Sequence, residues 1–133
     1  MTIAPKIDVW YHGSREKFTG PIRPLYLTPH KALASIHGNL YAFRINPEAE
    51  WLDLSEYEGG FVPSIDSLGY HSSAPEKLRN KGFDIAWERE DFRRGHTQIY
   101  VLNPNVLQSV SLDEQMLCEL IENILSEFWN HVC

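Results

Sequence analysis

Two apolar stretches of this chain end in the same dipeptide. "NLYAFRINP" (39–47) and "QIYVLNP" (98–104) both run into Asn-Pro. Proline has no N–H for a ladder bond and pushes the residue before it out of the helical region, so each stretch reads as a strand with a fixed end. In the first, Leu40, Ala42 and Arg44 alternate with Tyr41, Phe43 and Ile45. More short strands are expected at 6–13 ("KIDVWYHG"), 24–27 ("PLYL") and 83–88 ("FDIAWE"), the last with Phe83, Ile85 and Trp87 on one face. "WLDLSEY" (51–57) reads as a short extended piece and "VLQSVSL" as a final strand.

Helix signals fall between these strands. Thr28 as N-cap, Pro29 at the first helical position and Gly38 at the end predict a helix in "TPHKALASIHG". "APEKLRNKG" (74–82) predicts another, ending at Gly82. The Gly- and Ser-rich 58–74 reads as a surface loop with a partial helix, and "REDFRRGH" as a polar loop. Ser111 and Glu114 form a capping box, with a helix expected from there to about residue 131. Several short strands interleaved with short helices imply an α+β fold, not a doubly wound parallel sheet. The whole chain, 1–133, is expected to form a single domain, with no internal repeat.

Composition narrows the function. The chain is 43% hydrophobic and 23% charged, which suits a globular protein. Its formal charge of −6 disfavours a binder that works by neutralising phosphates, so nucleic acid is the weaker partner class. No apolar run approaches the roughly 20 residues of a membrane helix, and no leader pattern opens the chain. Cys118 and Cys133 lack metal-ligand spacing and fit a reducing compartment. These features predict a cytoplasmic location, no metal and no membrane association.

Three constellations carry possible chemistry. His12-Gly13-Ser14 ends the first strand, where the glycine would leave backbone groups open to a ligand; a strand running into a turn with a surface histidine is the plainer account of this stretch alone. Tyr26 and His37, eleven positions apart across a strand and a helix, suit a slot for a flat heterocycle. The alternative is a half-buried strand tyrosine and a histidine that favours the helix C-terminus. Gln98 opens an apolar strand, with His96 two residues before it and expected on the same side; an edge glutamine facing water is the plainer account.

In this order, "YHGS", "LYLTPHKALASIH" and "GFDIAWE…TQIYVLNP" resemble the mono-ADP-ribosyltransferase superfamily over about residues 9–107. The likeness is to the His–Tyr–Glu branch, which includes diphtheria toxin and the poly(ADP-ribose) polymerases. It implies split mixed and antiparallel sheets, short helices and a C-terminal helix. It also implies NAD as co-substrate, release of nicotinamide, and transfer of ADP-ribose to a protein acceptor by an effector, toxin or phage-encoded inhibitor. By the same resemblance His12, Tyr26 and Gln98 are catalytic, and His12, Gly13, Ser14, Tyr26 and His37 hold NAD. Gly13 would take the carboxamide, His12 and Ser14 the adenosine ribose, and Tyr26 and His37 the nicotinamide. Gln98 would bind the nicotinamide ribose, and His96 would meet the acceptor.

Two positions depart from the branch. His37 stands for its second tyrosine and Gln98 for its acidic residue. A neutral amide gives less support to a cationic ribose, and Glu88, Glu90 and Asp91 in the preceding segment are candidates for the charge. The alternative is a catalytically silent member of the fold that binds a partner. The terminal helix bears on that choice. Its apolar face, which includes Leu120, Ile124 and Trp129, is expected to pack on the chain's own sheet.

Overall fold

The computed structural model describes residues 4–17, 23–71, 73–111 and Ile124. In chain order the elements are β1 (Trp10–Ser14), β2 (Leu25–Leu27), α1 (Lys31–Ser35), β3 (Asn39–Ile45), β4 (Trp51–Asp53), α2 (Ile65–Leu68), α3 (Ala74–Asn80), β5 (Ile85–Trp87), α4 (Arg89–Arg93), β6 (Ile99–Val101) and β7 (Leu107–Val110). Single 3-10 turns occupy Leu54–Glu56 and Pro104–Val106.

The strands form two sheets. One is antiparallel in the order β1-β3-β7; the other runs β2-β6-β5-β4 and is antiparallel except for the β4–β5 pair. The architecture is therefore α+β with mixed pairing. An isolated bridge, Tyr11 to Thr28, joins β1 to the end of β2.

Period-two alternation sorts the side chains into layers. Trp10 and Phe43 of the first sheet meet Leu25, Leu27, Trp51, Ile85, Trp87, Ile99 and Val101 of the second in a common core. Trp10 lies 6.0 Å from Trp51 and 5.9 Å from Phe92, centroid to centroid. The alternate residues face outward. Tyr11 and Ala42 pack with Ala34 of α1, while Leu52, Ala86 and Tyr100 pack with Ile65 and Leu68 of α2 and Leu78 of α3. Covered on both faces, β5 and β6 are fully buried, which explains their continuous apolar runs "IAW" and "IYV".

Several boundaries differ from the sequence expectations. Phe83 does not share a face with Ile85 and Trp87. It precedes β5 and packs on the α2–α3 side, with Tyr57 at 6.2 Å. The first strand starts at Trp10, later than expected. The helix expected from Thr28 starts at Lys31, because Thr28 is held in extended pairing: Tyr11 N–H donates to Thr28 O (2.7 Å) and Thr28 N–H to Tyr11 O (3.0 Å). Thr28 Oγ1 instead accepts from the His30 N–H at 3.3 Å, closing a turn. The supposed polar loop after β5 contains α4, whose Phe92 anchors it on Trp87 and Trp10. The expected terminal helix lies outside the described residues apart from Ile124, which is helical and 56% exposed.

Candidate functional site

Where the two sheets meet, a cleft of about 540 Å³ opens between α1 and α2. Its described lining includes His12 and Gly13 from β1, Tyr26 and Leu27 from β2, Thr28, Leu33 and Ala34 from α1 and its approach, His37 beyond it, Asp66 from α2, Tyr70, and Gln98.

A short hydrogen bond orients the His12 ring. Its Nδ1 lies 2.7 Å from the Tyr26 carbonyl oxygen. A carbonyl can only accept, so Nδ1 carries the hydrogen, and Nε2 is the acceptor of the neutral ring. Burial lowers the His12 pKa, and the hydrogen bond to Tyr26 opposes this; the positive charges of Arg23 and His37 lower it further. The ring is thus held in its neutral form at physiological pH.

Gly13 has a steric reason to be glycine. A Cβ there would lie 1.8 Å from the Ala34 oxygen and 3.1 Å from His37 Cβ. The missing side chain lets α1 close onto β1 and brings His37 to the cleft. The backbone has a second consequence. Tyr11 turns its N–H and C=O toward Thr28, and period-two geometry turns those of Gly13 to the same edge, on the side of β2.

Tyr26 is held at both ends. Its ring meets Tyr100 edge-on at 4.7 Å. Its hydroxyl lies 2.9 Å from the Ile65 carbonyl and 3.2 Å from that of Asp66, and accepts from the Gly69 N–H at 2.8 Å. The same side chain that lines the cleft therefore fixes α2. Burial raises its pKa, the Gly69 N–H lowers it, and the charges of Tyr70 and Asp66 raise it. Glu88 secures α2 from the other side, its Oε1 accepting from the Ile65 N–H at 2.9 Å. Burial and a hydrogen bond with Asp91 raise the Glu88 pKa.

Five residues singled out in three separate stretches of sequence, His12, Gly13, Tyr26, His37 and Gln98, line this one cleft. Ser14 and His96 are not among its described lining. Ser14 Oγ accepts from the Glu16 N–H at 3.1 Å, within its own turn. His96 is exposed, and 96–98 is not regular strand, so the period-two rule that was expected to put it beside Gln98 has no strand to act on there. Glu88, Glu90 and Asp91 are also absent from the described lining. Glu88 and Asp91 bond each other, and Glu90 faces Arg93 at 3.6 Å in the open. Sequence reasoning missed Asp66, Tyr70, Leu33 and Thr28. An acidic residue in the first turn of the partial helix was a signal for Asp66, but nothing local says which surface so short a helix covers.

Among the described residues no group of three or more His, Cys, Asp or Glu side chains is placed to hold a metal, and no helix is long and apolar enough to cross a membrane. No protein-family model, curated protein or solved structure matches the chain, so the site rests on its own geometry.

Proposed function

We propose that the cleft binds NAD and that the protein is a mono-ADP-ribosyltransferase acting on a protein acceptor, built on the split-sheet fold of that superfamily. One observation carries the reading. Five of the residues that the resemblance assigns to NAD, His12, Gly13, Tyr26, His37 and Gln98 but not Ser14, line a single cleft at the junction of two sheets. The cleft's volume of about 540 Å³ lies within the usual range for small-molecule sites, about 300–1,000 Å³.

The chemistry fits the available groups. The Gly13 N–H and C=O suit the donor and acceptor of a carboxamide. His12 Nε2 can accept from a sugar hydroxyl, since its Nδ1 is already committed to Tyr26. Tyr26 and His37 supply aromatic surface for nicotinamide. Gln98, whose side chain makes no hydrogen bond among the described residues, can bind the nicotinamide ribose. As the bond from C1′ to the nicotinamide nitrogen breaks, positive charge develops on the ribose, and fixed polar groups lower the barrier. Leu33 and Tyr70 leave apolar surface exposed on the cleft lining, with Ile36 also exposed on the turn after α1. Such a rim suits a protein acceptor better than a phosphodiester chain.

A silent, partner-binding member of the fold is the second reading, favoured by the neutral amide of Gln98. Calorimetric titration with NAD, followed by chromatography for free nicotinamide, separates the two. Millimolar or tighter binding with slow release supports the transferase; binding without release favours the silent fold. Absence of binding overturns the NAD site altogether. Mass spectrometry for the added ADP-ribose unit on cell proteins then identifies the acceptor.

A further inference from the structure

We infer that Asp66 is the carboxylate that supplies the negative charge for this reaction, acting from α2, an element that none of the sequence motifs includes. The inference rests on the NAD reading of the cleft. Three observations converge on it. Asp66 is the one carboxylate among the cleft's described lining residues. Its carboxylate has no hydrogen bond or ion pair with any described residue, unlike Glu88, Glu90 and Asp91. Its backbone is held from two directions, by the Tyr26 hydroxyl at the Ile65 and Asp66 carbonyls and by Glu88 at the Ile65 N–H.

This division of labour accounts for the neutral Gln98. An acidic residue at the mouth of β6 would combine ribose binding and charge in one side chain. Here Gln98 supplies the hydrogen bonds and Asp66 the charge, from a different element. The step balances. The C1′–N bond breaks with its electron pair left on nicotinamide, which departs neutral. A water or acceptor side chain forms the new bond to C1′, and its proton passes to the Asp66 carboxylate and then to solvent. A preorganised polar group aimed at developing charge is worth about 10²–10³ in rate; here the fixed part is the Asp66 backbone, from which an exposed side chain lines the cleft.

Purified full-length protein is titrated with NAD and assayed for nicotinamide release, as wild type and as Asp66→Asn, Asp66→Glu, Glu90→Gln and the double variant Asp66→Asn with Gln98→Glu. Asp66→Asn is expected to keep the melting temperature, bind NAD within about threefold of wild type, and release nicotinamide about 10²-fold or more slowly. Asp66→Glu should retain measurable release, Glu90→Gln should match wild type, and Gln98→Glu should partly restore the Asp66→Asn variant by returning a carboxylate to the cleft. If wild type binds and cleaves NAD and Asp66→Asn does so equally fast, the role of Asp66 is refuted while the NAD site stands. That role is equally refuted if Glu90→Gln is the variant that loses release, or if wild type binds NAD but never cleaves it. Failure of wild type to bind NAD removes both.

Discussion

At the scale of single residues, His12 and Gly13 make opposite demands on their surroundings. His12 must stay neutral for Nε2 to accept a hydrogen bond. Its pKa in the folded protein is depressed below the ordinary value of 6.5, mainly by burial. The folded state then binds fewer protons than the unfolded one between the two pKa values. The stability contributed by neutral His12 is fully present above about pH 6.5 and is lost as pH falls through the depressed folded value. NAD affinity should follow the same course, level from pH 8 to about 6.5 and falling below the folded pKa. A His12 titration by NMR alongside calorimetry at several pH values checks this; affinity that rises on acidification would contradict the assigned tautomer. Gly13 demands only space. Gly13→Ala sets a methyl against the Ala34 carbonyl backbone, which cannot swing aside as a side chain can. A loss of about 1–3 kcal/mol is expected in urea melts, with NAD binding impaired as α1 and His37 are displaced.

Among the elements, α2 depends most on distant partners. It has only four residues, Ile65–Leu68, too few to be stable from its own hydrogen bonds. Its buried Ile65 and Leu68 hold it to the sheet, and the Tyr26 hydroxyl and Glu88 carboxylate fix its ends. Tyr26→Phe keeps the ring against Tyr100 and removes the hydroxyl alone. The lost bonds are worth about 0.5–1.5 kcal/mol each. The expected result is a modest fall in stability, faster amide exchange at Gly69, and nicotinamide release reduced by more than NAD affinity. Unchanged exchange over 65–70 would mean that α2 is held by its apolar contacts alone.

For the molecule as a whole, the cleft exists because two sheets share one core. Trp10 of β1 touches Trp51 of β4 and Phe92 of α4, while Trp87 lies 5.4 Å from Trp51 and 5.5 Å from Phe92. These aromatic rings bind the first sheet to the second. Trp10→Ala should cost about 3–5 kcal/mol, a large part of the roughly 5–15 kcal/mol that holds a typical domain together. Because the cleft lies at the same junction, NAD binding and the thermal transition should weaken together. Tryptophan fluorescence melts with and without NAD test the coupling; a variant with normal NAD affinity and a broken core would show that the cleft does not depend on the sheet junction.

Strand period, Asn-Pro stops and glycine helix ends are local rules, and they located β2, β3, β6, β7 and α3 closely. They also drew attention to His12, Gly13, Tyr26, His37 and Gln98, which stand in or beside short strands and just past the end of α1. What local rules could not decide was pairing. The bridge from Tyr11 to Thr28 shortened α1, and one half-buried ring, Phe92, packed on the aromatic core, turned a polar loop into α4. The same limit hid Asp66. Its chemistry is visible in the sequence, but its place in the cleft is set by the Tyr26 hydroxyl and the Glu88 carboxylate, some 40 and 22 positions away. A short helix takes its position from such long-range bonds, so only the tertiary structure brings its carboxylate to the residues that the sequence had already picked out.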